Sequence, residues 1–477
     1  MRLLAPITSL LLCFFSEAQT IPPERRHHRA LPEPVEVVAS LREAAVLPST
    51  VGNKLNLVLL IRWSDHASRA LPSRDRYDAL LNADGVDSVD YPTGSVRTFY
   101  SEQSGQRLNF SSRPVADWIT VPFTEAEAAA GISGLGLTTK GDCPLHRAIF
   151  YALDKTKNLD FRDFDLDRDG LIDGFTIIHS GYGAEWGGTN EANRIWSHKW
   201  SLIEQRIYNG VKIQPYNINP GLWHVSGNAI GRIGVICHEL GHFLGLPDLY
   251  DVVAPIHATF GPFGIMSDSW GVDGSQLYPG SFSPWSKAFL GWAEVTDIGE
   301  PGTKTIVHAN HIFKITRGYP ANEYILVEAR SNLTSRYDQQ LPGGIYVWHV
   351  DTDATRNTWN TNGGYPADGV GWPGRHDRVR LIQADNRWDN EKLEYWRYDP
   401  RDAFNDPKKI LDDKSKPNLL SYTAQARGAA CKTTGNRLLN FHFNNSGPSR
   451  FDYTNINTCA VKPTKKPTKK PTKKPTK

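Results

Sequence analysis

The chain of 477 residues reads as an α/β domain followed by a β-rich, sandwich-like C-terminal domain. Two observations predict this. Between about residues 53 and 300, buried-strand runs alternate with helical patterns, as in layered α/β folds. From 301 to 460 the texture changes to short β-type runs between turn-rich loops.

The first eighteen residues stand apart. Arg2 precedes an apolar run from Leu3 to Phe15, and Ser16 and Ala18 suit a small-residue cleavage site. This is a secretory signal peptide, too short for a membrane span. Residues 19–52, with "PPERRHHRALPEPVEVV" and a dibasic Arg25-Arg26, read as a propeptide or flexible arm. No later segment is apolar enough to cross a bilayer, so an extracellular, soluble product is expected.

Order begins at "LNLVLLIRWSD" (55–65), whose continuous apolar run is a buried strand. "RLNFSSRPVADWITVPF" adds strand-like material, "CPLHRAIFYALDK" is helical, and "DGFTIIHSGYGAEW" is a further strand. In the last part, "TKTIVHA", "HIFKIT", "EYILVEARS", "GGIYVWHVD", "RVRLIQAD" and "LLNFHF" are the β-type runs. Residues 461–477 end the chain in a Lys/Pro/Thr repeat, which predicts an extended, disordered tail. Its eight lysines mask a body that is net acidic, since the formal charge of the whole is only +3. The body gives no sign of nucleic-acid binding. The tail suits an anionic polymer or surface, or serves as a solubilising end.

The densest chemistry lies in "CHELGHFLGLPD" (237–248). His238 and His242 are four apart and so share one helix face, the arrangement two imidazoles need to hold one metal ion. Glu239 would lie beside that metal as general base for a bound water. Gly245 suits a left-handed stop and Pro247 prevents resumption. The chain then turns and returns Asp248 as third ligand. Asp251 and His257 compete for that place.

"DLDRDGLID" sets Asp165, Asp167, Asp169 and Asp173 around Gly170, resembling the first half of a calcium loop. The twelfth position is Thr176, so it is not a full EF-hand, and Asp163 is a further ligand candidate. The alternative is an acidic turn held by its own side chains. Met266, in "FGIMSDSW", is the only methionine after Met1 and fits either core packing or the floor of the metal site. Once Cys13 leaves with the signal, Cys143, Cys237, Cys431 and Cys459 allow three pairings. Cys431–Cys459 and Cys143–Cys237 are the expected disulfides, with a free buried Cys237 thiol as the alternative. Sequons at Asn109, Asn332 and Asn444 permit glycosylation in a eukaryotic host.

His238-Glu239-x-x-His242-x-x-Gly245-x-x-Asp248, followed by Met266, resembles the metzincin zinc-peptidase pattern with Asp in the third-ligand place. The longer "HELGHFLGLPDLYD" is similar to the immune inhibitor A family of secreted metallopeptidases (family M six). So are "LVLLIRWSD", "SVRTFYSEQSGQRLNF", "DFDLDRDGLIDGF", "RIWSHKW", "FGIMSDSWG" and "SPWSKAFLGWAEV". The likeness covers about residues 55–295 and continues more loosely through "YILVEAR" and "LPGGIYVWHVD" to "RVRLIQAD". It implies a zincin/metzincin-like catalytic domain and a secreted zinc endopeptidase. By position, His238, His242 and Asp248 would hold zinc and Glu239 would be the base. Met266 would form the methionine turn, and Asp165, Asp167, Asp169 and Asp173 would lie in the family's acidic metal-binding segment. The chain is short for this family, and the lysine tail is unusual in it. A metal-dependent exopeptidase and a non-catalytic binding protein with the same fold are the rivals.

Overall fold

The computed structural model describes residues 49–250, 259–354, 376–387, 400–426 and 433–456. The first sheet is built from β1 (Gly52–Arg62), β2 (Leu108–Pro114), β3 (Ile119–Thr120), β4 (Gly174–Tyr182), β5 (His198–Tyr208) and β6 (Val211–Leu222). Its order is β2-β1-β4-β6-β5, with β3 beside the end of β1. All pairings are parallel except β5 with β6. That exception is a hairpin closed by Asn209 and Gly210, both at positive φ (51° and 88°). Asn-Gly is the pair that a two-residue turn between twisted strands selects.

β1 explains why the sheet has two apolar faces. Its side chains alternate, so Leu57, Leu59 and Ile61 enter one cluster while Val58 and Leu60 enter another. The first cluster meets Leu145, Ile149 and Leu153 of the helix Pro144–Lys155, whose first position suits Pro144 because its missing N–H would be unpaired there anyway. The second meets Ile233, Ile236 and Leu240 of the helix Ile233–Phe243.

This division corrects one disulfide. Cys143 belongs to the first cluster and Cys237 to the second, and both are free buried thiols. The sheet stands between them, which sequence spacing does not reveal. Cys431 and Cys459 lie outside the described residues.

The C-terminal part holds β7 (Glu294–Asp297), β8 (Gly302–Ile306), β9 (His311–Ile315), β10 (Glu323–Arg330), β11 (Gly344–Asp351), β12 (Val379–Ile382), β13 (Leu411–Asp412), β14 (Asn436–His442) and β15 (Ser449–Asn455). They form a five-stranded sheet, β12-β11-β10-β9-β7, and a four-stranded one, β13-β14-β15-β8. Ile325, Val327, Ile345 and Val347 of the former share a cluster with Leu438, Phe441, Phe451 and Tyr453 of the latter. The alternate residues Leu326, Tyr346, Trp348 and Val350 point the other way and join the cluster beneath the helix Ile233–Phe243. Phe260 meets Trp348 and Phe263 meets Tyr346, each at 5.1 Å between ring centres. The change of texture near residue 300 is therefore a change of sheet, while the apolar interior runs across it. No helix among the described residues is long and apolar enough to cross a membrane.

Candidate metal centre

The helix Ile233–Phe243 has an apolar majority that buries it and four polar residues to account for: Cys237, His238, Glu239 and His242. Its first free N–H groups go to Gln276, whose backbone O accepts from Gly234 (3.1 Å) and whose Oε1 accepts from Val235 (3.3 Å). Gly234 is also where Ser269 comes closest, because a Cβ there would run into the Ser269 carbonyl oxygen. Alanine for glycine inside a helix ordinarily gains about 1 kcal/mol. Gly234→Ala is expected to reverse that sign and lower the melting temperature by several degrees, which calorimetry measures.

The helix stops as its sequence predicts. Gly245 takes φ +91°, and Leu246 N–H returns to Gly241 O at 3.2 Å. The next residues are pinned from two sides. Leu246 O accepts from His242 Nδ1 (2.7 Å), and Leu249 N–H donates to Met266 O (2.9 Å). Ile265 O, one residue earlier in the same turn, accepts from His238 Nδ1 (2.9 Å). Met266 itself is buried under the helix, with its Sδ 2.8 Å from where a Cβ on Gly241 would stand. The turn through Ile265 and Met266 thus holds the first histidine and the returning Asp248 segment together.

With both Nδ1–H groups committed to carbonyls, the two Nε2 atoms present lone pairs inward. They face each other at 3.2 Å. Asp248 Oδ1 lies 3.1 Å from His238 Nε2 and 3.2 Å from His242 Nε2. Three acceptor atoms thus form a nearly equilateral triangle that only a proton or a cation can relieve. A tetrahedral ion with bonds of about 2.0–2.1 Å spaces its ligand atoms about 3.3–3.4 Å apart, so these three residues fit zinc. Burial pushes the Asp248 carboxyl up, yet the neighbouring His242 and His238 hold it well below the usual carboxylate range. Burial opposes charge on His242, but Asp248 raises its pKa to about 9, so a proton competes for the same centre. Tyr250 stacks on His238 with ring centres 6.2 Å apart.

Glu239 is buried one position from the first histidine and is not part of the triangle. Burial raises its carboxyl to about 7, against the pull of His238 and His242. Glu185 contributes to that rise. It is itself buried and accepts from Ser197 Oγ at 2.6 Å. Nothing in the glycine-punctuated "GYGAEWGG" marks Glu185 beforehand.

The acidic loop is assembled in part. Asp165, Asp167 and Asp169 come together, and Gly170 turns at φ +84°. Asp165 accepts from the N–H groups of Asp169 (3.0 Å) and Gly170 (3.1 Å). Asp173 faces elsewhere: it takes Leu55 N–H, Leu166 N–H and the Lys54 ammonium (3.1 Å). Lys54 also reaches Asp167 at 2.9 Å. A buried ammonium from β1 thus meets two of the four carboxylates expected to share a cation. Asp163 pairs with Arg113 at the surface. Lys54→Met leaves Asp173 buried and uncompensated, so a loss of about 3–5 kcal/mol is expected in urea unfolding. Asp251 and His257 lie outside the described residues.

Residues 73–294 match the family described as immune inhibitor A peptidase M6, catalytic domain. That segment is similar to the M6 peptidase catalytic domain and makes up just under half of the chain. The triangle of His238, His242 and Asp248, with Glu239, Met266 and the acidic loop, falls inside the matched segment. The chain is 28% identical over 291 residues to immune inhibitor A of Bacillus thuringiensis subsp. alesti, covering 51% of this chain and 41% of that protein. It is 32% identical over 221 residues to the pre-pro-metalloprotease PrtV of Vibrio cholerae serotype O1 (strain M66-2), covering 41% of this chain and 23% of that protein. The likeness therefore spans less than half the length of either relative.

Proposed function

We propose that the protein is a secreted zinc endopeptidase acting on extracellular proteins. The observation that carries this reading is the triangle of His238 Nε2, His242 Nε2 and Asp248 Oδ1, with the buried Glu239 carboxyl adjoining it. Zinc held there would supply a Lewis acid and lower the pKa of its water towards about 7. The chain supplies the rest. The carbonyls of Ile265 and Leu246 hold both imidazoles in the tautomer that leaves Nε2 free to ligate. Glu239 takes the proton of the attacking water on a carboxyl oxygen and returns it to the leaving amine. Burial of this carboxyl raises its proton affinity, which favours its holding the proton between the two steps. Desolvation of the helix keeps this acid–base pair out of competition with bulk water.

An internally quenched peptide blocked at both ends tests the reading. Cleavage that stops on zinc chelation and returns with zinc supports it. Cleavage only of peptides with a free terminus would favour the exopeptidase, and zinc binding without cleavage of any peptide would favour a binding protein.

Calcium at Asp165, Asp167 and Asp169 belongs to the same proposal, as a support for the fold. Selective calcium removal, with zinc retained, should then lower the melting temperature. An unchanged melt would leave Lys54 as the loop's sufficient counter-charge. The lysine repeat is read as a contact for an anionic polymer. Its deletion should abolish retention on a polyanionic resin.

A further inference from the structure

Arg232 precedes the metal helix and caps it with backbone alone. Its guanidinium lies over the Trp223 ring, 5.0 Å from the ring centre. Its Nε and Nη1 are buried and have no hydrogen-bond partner. The carboxylates that act on it, Asp90 and Asp273, are engaged elsewhere. Asp90 holds Arg76 through two bonds of 2.6 and 2.8 Å. Asp273 accepts from Ser275 N–H (2.9 Å) and Gln340 Nε2 (3.2 Å). Two N–H groups of the helix's first turn, those of Gly234 and Val235, are already taken by Gln276. Arg232 is half-buried, and two guanidinium nitrogens shut from water without acceptors are costly unless a ligand reaching the open side brings the missing charge.

Its surroundings link it to the metal centre. Trp223 packs on Trp186 at 4.6 Å, and Trp186 packs on Trp270 at 5.0 Å. Trp186 follows Glu185, whose charge acts on Glu239. Ser269, just before Trp270, abuts Gly234, one turn ahead of His238. The backbone of Arg232 stands six residues before His238, a rise of about 9 Å along the helix axis. An extended peptide covers that distance in roughly three residues.

We propose that Arg232, held over the Trp223 ring, is a specificity-determining residue that pairs with an acidic side chain about three residues from the bond cleaved. The proposal rests on the peptidase reading above for the bond and on Arg232 alone for the preference. Planar guanidinium–carboxylate pairing explains why an arginine is stacked there and not a lysine.

Matched quenched peptides carrying Glu or Gln at each position two to four residues either side of the cut test it. The parent should favour Glu at one position by about tenfold in kcat/KM, mostly through KM. Arg232→Gln should erase that preference, and Arg232→Lys should restore part of it. Equal use of Glu and Gln peptides by the parent overturns the proposal, as does a preference that survives in folded Arg232→Gln. If no peptide is cut, the peptidase reading fails separately. Binding of the same peptides to Glu239→Gln, followed by tryptophan fluorescence, still decides Arg232: tighter binding of a Glu peptide upholds it, and equal binding refutes it.

Discussion

Asp248→Ala should empty the metal centre and abolish hydrolysis together. Asp248 supplies the only anionic corner of the triangle, 3.1 and 3.2 Å from the two imidazole nitrogens. Without it two neutral nitrogens face a dication, and no carboxylate balances the charge. Even outer-shell partners of metal ligands are worth about 10–100-fold in affinity, so losing a direct ligand should weaken zinc by more than about 100-fold. The turn that presents Asp248 is held by backbone bonds, Leu246 N–H to Gly241 O and Leu249 N–H to Met266 O. The variant should therefore keep its fold while losing its metal. Asp248→His should recover part of the zinc, whereas Asp251→Ala and His257→Ala should leave stoichiometry unchanged. Elemental analysis and a chelator titration measure all four. Parent-like zinc affinity in Asp248→Ala would transfer the third-ligand role to Asp251 or His257.

Glu239→Gln is expected to bind zinc normally and lose roughly 10²–10⁴-fold in turnover, the usual worth of a positioned general base. Glutamine preserves volume in the buried site, so packing under the helix is not disturbed. The amide can donate a hydrogen bond but cannot take a proton from water at neutral pH. Substantial turnover in a folded, zinc-loaded Glu239→Gln would sink the assignment.

The helix bearing His238 and His242 was legible because its signals are local. His238 and His242 sit one turn apart, Gly245 adopts the left-handed stop, and Asp248 returns after Pro247. Most strands announced themselves as apolar runs. The β5–β6 hairpin did not, because its strands are half polar, although Asn209-Gly210 is itself a hairpin signal. What stayed hidden depends on distant contacts. Cys143 and Cys237 looked pairable until the sheet placed them on opposite faces. Asp173 looked like a loop ligand until Lys54, 119 residues away, took it. Arg232 and Glu185 carry no motif, since their significance lies in which partners they lack or share.

The apolar cluster that crosses from the matched segment into β10 and β11 ties the stability of each half to the other. Excising the molecule after residue 294, where the matched segment ends, would uncover the ring faces of Phe260 and Phe263 that Trp348 and Tyr346 now cover. Those phenylalanines immediately precede the turn whose Ile265 carbonyl orients His238. Heating should thus produce one cooperative transition, with zinc released at the same temperature as the C-terminal sheet melts. A recombinant fragment ending at 294 should aggregate, and Trp348→Ala, made in the other sheet, should loosen zinc by unfastening the turn beneath its first ligand.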